Sequence, residues 1–349
     1  MAKNMLSSKV KNRMYVFWKF YRLSTKTYFC SPINVFLGIF LFYFITLIWL
    51  LYRSTDPFIL ASATGAITVR NAIHMLYRNL NIHRETGFSS KVDFLPVSPF
   101  RVLFANILAN FVIVFIANSG LILITYLAYP HQRTLIANVN WSMYISSILM
   151  LYFLMVILCY IMYIYIKDPM VSMILANVIY IFTWYFLGCA YPYNIVTHYK
   201  WLNIVMYAFP PRYMMNVMQA GWVNAPDLKY VDTFNTSSHN YSVEWNLGGN
   251  LAIPYAATIG IILFFGFFLV LHFLIKLRRR TKDDYGTSII LKLSNRYIRD
   301  IKRCSSIEQL ANLRSSHLKE MGYSNDNLSY DKIIKWQAKD KKHHKPKHK

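Results

Sequence analysis

The sequence predicts an all-α polytopic membrane protein: six transmembrane helices, an N-terminal interfacial amphipathic helix before them and a basic cytoplasmic C-terminal tail after them. Three observations predict it. Of 349 residues, 55% are hydrophobic and only 15% charged, too little polar surface for a soluble chain of this size. Apolar runs of about twenty residues recur along the chain, each long enough to cross a hydrocarbon core as a helix. The formal net charge of +23 sits at the two ends. Residues 1–32 carry Lys3, Lys9, Lys11, Arg13, Lys19, Arg22 and Lys26 with no acid, and residues 276–349 carry 20 Lys or Arg against 8 acids, so the tails hold 19 of the 23 excess charges. Basic residues near span ends resist translocation, which predicts that both termini are cytoplasmic in a multi-pass cell-membrane protein. The same partition disfavours nucleic acid as a partner, since no basic face interleaves with a recognisable binding module.

The elements follow in order. Within the cytoplasmic segment 1–32, Lys11, Lys19, Arg22 and Lys26 fall on one helical face and Met14, Phe17, Trp18 and Tyr21 on the other, the pattern of a helix lying among lipid headgroups. The membrane-spanning body is 33–280. Its first span, about 33–52, is interrupted only by Asn34 and Thr46; residues 53–57 turn, and 58–77 returns. That second span is the least regular, carrying small residues together with Arg70, Asn71 and His74. A lipid-facing helix tolerates Arg70 poorly, so the span is expected inside the bundle with Arg70 near its cytoplasmic end, snorkelling. The third span, 102–128, is opened by Ser98 as N-cap and Pro99 at the first helical position. Spans four and five, 142–166 and 170–189, are joined by Lys167-Asp168-Pro169 and are therefore antiparallel; the sixth is 251–275, closed by Lys276 and Arg278 to Arg280.

An even number of spans returns the C-terminus to the side of the N-terminus, in agreement with the charge bias. The extracellular segment 190–250 then carries Trp201, Tyr207, Phe209, Tyr213 and Trp222, interfacial aromatics around a break at Pro210-Pro211. The tail, 281–349, contains a helical appendage with Ser305 and Glu308 at capping-box spacing and Gly322 as terminator. Its end, with Lys339, Lys341, Lys342, Lys345, His343, His344 and His348, reads as a disordered, solvated basic segment rather than a metal site, because no ligand geometry is implied.

Chemistry narrows the function. All 15 acids lie outside the six proposed spans, which disfavours ion-coupled transport, whose relays place carboxylates at the membrane midplane. There is no Gly-Lys-Ser/Thr phosphate loop for ATP, no clustered carboxylates and no Ser, His and Asp constellation, so the chain is not expected to be an enzyme or to hold a cofactor or metal. Cys30, Cys159, Cys189 and Cys304 have no paired spacing. Asn106, Asn110 and Asn118 make a polar stripe on the third span and Asn177 adds an amide in the fifth; such a stripe is either interhelical hydrogen bonding or a translocation path. The inner loop, 79–101, combines charge with Gly87, Phe88, Phe94, Leu95, Pro96 and Pro99. It is either a plain connector or a short coupling helix that docks in a groove of a cytoplasmic ATPase.

Arg84-Glu85-Thr86-Gly87 followed by Phe94-Leu95-Pro96-Val97-Ser98-Pro99 resembles the corresponding stretch of the six-span type-2 permeases of ATP-binding-cassette (ABC) exporters. The likeness spans roughly residues 10–280, and the interfacial helix and hydrophobic external segment fit it. The resemblance implies that Arg84, Glu85, Gly87, Phe88, Phe94 and Leu95 form the ATPase-coupling loop. It also implies that Phe209, Pro210, Pro211 and Tyr213 belong to an external gate of two half-helices, although Phe209-Pro210-Pro211 stands where that family carries Asn-Pro. It implies two further partners, an ABC ATPase subunit that binds ATP and Mg and a second permease subunit in a homodimer or heterodimer, besides the membrane lipids. The cargo would be hydrophobic or amphipathic: a lipid, drug, peptide or glycan. The alternatives are a non-transporting scaffold that recruits cytoplasmic partners or anionic lipid, and a membrane-embedded lipid enzyme.

Overall fold

The computed structural model describes residues 2–88, 92, 97–166, 168–231, 241–275, 309 and 312. The chain divides into two compact units, Met1–Phe273 and Leu274–Lys349. Nearly all of the second lies outside the described residues, including the predicted appendage and the Lys- and His-rich end, as do Phe94 and Leu95 of the inner loop.

The first unit is helical almost throughout. Helix α1 is Ala2–Cys30. Pro32 at the first helical position starts α2, Pro32–Tyr52, which contains a π-helical segment at Phe36–Phe40. Helix α3 covers 59–85 as Ile59–Val69, a second π segment at Arg70–Met75, and Leu76–Glu85. Ser98 and Pro99 open α4, Pro99–Ala128; α5 is Pro130–Ala137 and α6 is Trp141–Tyr165. Asp168 caps α7, Pro169–Phe186, by accepting the Met170 N–H at 2.8 Å. Three short helices follow, α8 Tyr193–His198, α9 Lys200–Tyr207 and α10 Pro211–Trp222. A two-stranded antiparallel hairpin pairs β1, Lys229–Tyr230, with β2, Val243–Glu244. Helix α11 is Ala252–Ile275. Five of these helices (α2, α4, α6, α7 and α11) are long and apolar enough to cross a membrane.

A helix rich in small and polar residues occupies the centre. Every residue from Asp56 to Tyr77 is buried, and α3 packs against α2, α4, α6, α7 and α10. Small residues allow this. Gly65 faces Met215 and Met218 of α10 so closely that no side chain would fit between them, and Gly221 of α10 lies against the backbone of α6 at Tyr144. Polar rungs hold the neighbours to α3 and satisfy groups that have no water to bond. Tyr144 donates to Thr64 at 2.8 Å, Asn118 to Thr68 at 2.9 Å and Gln219 to Ser62 at 2.8 Å.

One expectation is corrected. Arg70 does not snorkel: it is 8% exposed and donates to Asn177 of α7 at 2.8 Å. The central position of α3 keeps it from the headgroups. On α1, the face that packs on the bundle is not the aromatic one. Ser24 and Tyr28 are buried whereas Met14 and Trp18 are exposed, because Ser24 hydrogen-bonds Asn106 of α4 and Tyr28 donates to Asn71 of α3 at 2.8 Å. The second half of α1 is thus docked on the bundle. A smaller difference is the end of α7 at Phe186 instead of 189, whereas α4 starts at Pro99 behind Ser98 as expected.

Candidate functional site

The C-terminal half of α3 carries a dense set of polar groups, and its geometry begins with the two π segments. A π turn widens the helix and leaves a carbonyl without its usual partner four residues on. Two of the carbonyls inside these segments are taken up by side-chain amides. Asn71 Nδ2 donates to the Gly38 carbonyl at 2.9 Å, and Asn110 Nδ2 donates to the Asn71 carbonyl at 3.1 Å. Gly38 is required here, since a β-carbon would strike the Tyr28 hydroxyl and the Asn71 amide. One turn further in, Asn34 donates to Asn79 at 3.2 Å. Helices α1, α2 and α4 are therefore tied to the same short stretch of α3.

Arg70, His74 and Arg78, spaced four residues apart, lie on the same stretch of α3, with Arg70 turned to α7. Arg70 is held by the Asn177 amide and by the Tyr180 ring, 4.7 Å from its guanidinium carbon. Arg70 Nε and His74 Nδ1 are buried without a partner. Arg78 makes no hydrogen bond or ion pair among the described residues, and it stands near enough to repel both Arg70 and His74.

These positions separate the four predicted amides. Asn106, Asn110 and Asn118 all face α1 and α3 and are engaged there, with Asn106 and Asn110 also lining a narrow cleft beside Asn79 and His83. Asn177 reaches α3 from the other side, at Arg70. The structure does not gather the four into one lining.

The inner loop residues sit at the end of α3. Gly87, at φ +67°, ends the helix in the left-handed region that suits glycine. Arg84 donates to the Tyr163 carbonyl of α6 at 2.6 Å, its guanidinium 4.2 Å from the Tyr163 ring. A cation there also complements the negative end of α6. Phe88 packs on His83 at 5.0 Å and on Phe20 of α1 at 6.3 Å. Burial holds the His83 imidazole below the ordinary histidine range, which keeps it neutral at neutral pH. Glu85 is exposed and accepts only from Asn81, at 2.6 Å.

At the other end, the predicted gate residues mark the break between α9 and α10. Pro211 opens α10, Phe209 packs on Phe182 of α7 at 5.8 Å, and Tyr213 donates to the Tyr207 carbonyl at 2.8 Å. Beside them are groups that the sequence reading did not single out. Arg212 is fully buried, binding the carbonyl and amide oxygen of Asn203 and stacking on Tyr207. Gln219 donates to Ser62 and the Leu187 carbonyl and accepts from Trp245 at 2.9 Å. Arg53 pairs with buried Asp56 and donates to the Cys189 and Ala190 carbonyls at 2.8 and 3.1 Å. Burial raises the Asp56 carboxyl, against the pull of Arg53 and of the Phe58 N–H it accepts at 2.8 Å. The signal available in sequence was the Arg53-x-x-Asp56 spacing at a span end, which is that of a local ion pair.

These features define a helical, multi-pass membrane protein. No protein-family model matches the chain, nor does any curated protein or solved structure.

Proposed function

We propose that the chain is the membrane subunit of an ATP-driven exporter, a permease without an ATP site of its own that moves a hydrophobic or amphipathic solute and is driven by separate ABC ATPase subunits. One observation carries this reading: Arg84 and Phe88 link the end of the buried central helix to α6 through Tyr163 and to α1 through Phe20. A partner that pushes on this junction moves three helices at once, and through α3 reaches the outer end of the bundle. Exposed Glu85 is the handle on that junction, and the amphipathic resemblance of the loop to ABC coupling helices supplies the identity of the partner. The reading includes six spans, with 58–77 as the second, and both termini in the cytoplasm. It also includes α9 and α10 as half-helices that dip from the outer face, and a second permease subunit to complete the path.

The test is affinity purification in mild detergent with crosslinking, followed by ATPase assay. The exporter reading expects an ATPase to co-purify. It also expects Glu85→Ala combined with Phe88→Ala to uncouple ATP hydrolysis from solute while leaving the chain in the membrane. Purification without any ATPase under crosslinking overturns it and favours the scaffold. Labelling of single cysteines placed at 3 and 340 from the cytoplasmic side only checks the topology.

A further inference from the structure

Buried arginines in this fold are not treated alike. Arg53 has a carboxylate and two close carbonyls, and fully buried Arg212 has two oxygens of Asn203 and the Tyr207 face. Arg70 makes one hydrogen bond, to a neutral amide, and has one ring face. Four residues on, His74 is 3% exposed with Nδ1 unpartnered. Four further, half-buried Arg78 has no hydrogen bond or ion pair among the described residues. A guanidinium out of water is costly unless an opposite charge meets it, and a second arginine two turns on raises that cost by repulsion. The row lies in and just below the π segment of α3, a distortion common where a helix is shaped around a ligand.

The flanks add a second requirement. Next to Asn177 and Tyr180, α7 exposes Ile174, Val178 and Ile181, and α2 exposes Phe36, Phe40 and Phe44 in a stacked ridge with ring centroids 5.5 and 6.5 Å apart. The described contacts between α2 and α7 include Phe42 on Tyr180 and Trp184, so the two helices meet at the level of Arg70. Half-buried Arg78 is the more open end of the row and buried Arg70 the closed end.

We propose that Arg70, His74 and Arg78 form a binding site for the oxyanion headgroup of an amphipathic molecule, whose apolar part lies along the exposed face of α7. Guanidinium groups bind phosphate and carboxylate oxygens by charge-assisted hydrogen bonds, and the Arg70 Nε–H and the His74 imidazole supply the inner contacts. The site does not rest on the exporter reading, since binding belongs to this chain alone.

The experiment is native mass spectrometry of the purified full-length chain in nonionic detergent, with phosphatidylglycerol, phosphatidylcholine or inorganic phosphate as the added probe. It is run at about 0.5 M salt, where attraction to the basic tails is screened. The expected result is retention of phosphatidylglycerol over phosphatidylcholine by about tenfold or more, a preference lost in Arg78→Gln and kept in Arg78→Lys. Arg78 has no partner in the described fold, so its substitution leaves folding intact; a thermal melt of each variant checks this. Arg70→Gln deepens the loss. Displacement of phosphatidylglycerol by millimolar inorganic phosphate overturns the need for an apolar tail and identifies a soluble oxyanion as the ligand. Equal retention of both lipids by wild type and Arg78→Gln overturns the site.

Discussion

The outer and inner ends of the central helix solve the same problem differently. At the end near Asp56 the cation meets a carboxylate, Arg53 with Asp56, and amides tie the neighbouring segments together, Gln219 to Ser62, Leu187 and Trp245, and Gln132 donating to the Ser54 and Asp56 carbonyls at 3.2 Å. At the other end the amides of α4 are engaged, but the Arg70 guanidinium meets only a neutral amide and a ring, and Arg78 has no hydrogen bond or ion pair among the described residues. A set of contacts that is complete has one stable arrangement. A set that leaves charge unanswered is tuned for something that comes and goes. The contrast assigns rigidity to the outer cap and ligand-dependent adjustment to the inner half of α3.

The largest effect expected is at the cap. Asp56→Ala strands Arg53 in a buried site and removes the acceptor of the Phe58 N–H, which costs about 3–5 kcal/mol, read as a fall in the unfolding midpoint in detergent. Gln219→Ala leaves Trp245 Nε1 and Ser62 without their partner and costs about 1–3 kcal/mol by the same measurement. A cost under 0.5 kcal/mol there removes the claim that the cap is locked. Asn118→Ala, on the engaged side of the inner half, loses a single interhelical bond to Thr68 worth about 0.6 kcal/mol.

His83 gives a smaller, pH-dependent effect. Its folded-state imidazole resists protonation because it is buried, whereas in the unfolded chain it titrates near about 6.5. Stability is therefore full above that value and is lost as pH falls from it toward the depressed folded value. His83→Gln flattens this part of the melting profile. The smallest effect on stability is expected at Arg70→Gln, within about 1 kcal/mol of wild type and in either direction, because removing a poorly compensated buried charge is often neutral. A loss as large as that of Asp56→Ala would erase the difference between the two ends.

Much of this architecture is written in the apolar runs. Spans 33–52, 102–128, 142–166 and 251–275 are legible because a bilayer imposes length and hydropathy on any helix it touches. The importance of 58–77 is not legible that way. A helix enclosed by five others needs small and polar residues to pack, so Gly65, Asn71 and Arg70 lower its apparent membrane character at the place where it is most buried. The amide stripe on α4 is visible in the spacing of Asn106, Asn110 and Asn118, but not which carbonyls await it. That depends on two π segments, at 36–40 and 70–75, which carry no compositional mark. Arg84 and Phe88 were visible as loop chemistry; their anchorage on Tyr163 and Phe20 depends on where α6 and α1 end in space.

Helix α11 contrasts with the rest of the bundle. Only 6% of its apolar window is buried, against 50% for α6, and its described side-chain contacts include Tyr255 with Ser146 at 2.6 Å, Phe273 with Phe100 and His272 with Tyr165. It is also the last of the five membrane-length helices in chain order. The body of α1 to α10 with its hairpin can therefore assemble in the bilayer while the ribosome is still making residues 252–275, and a chain stopped at residue 250 would keep its packed interior. Late arrival at the periphery leaves this segment as the part of the molecule whose surroundings are set by lipid and neighbours more than by its own chain.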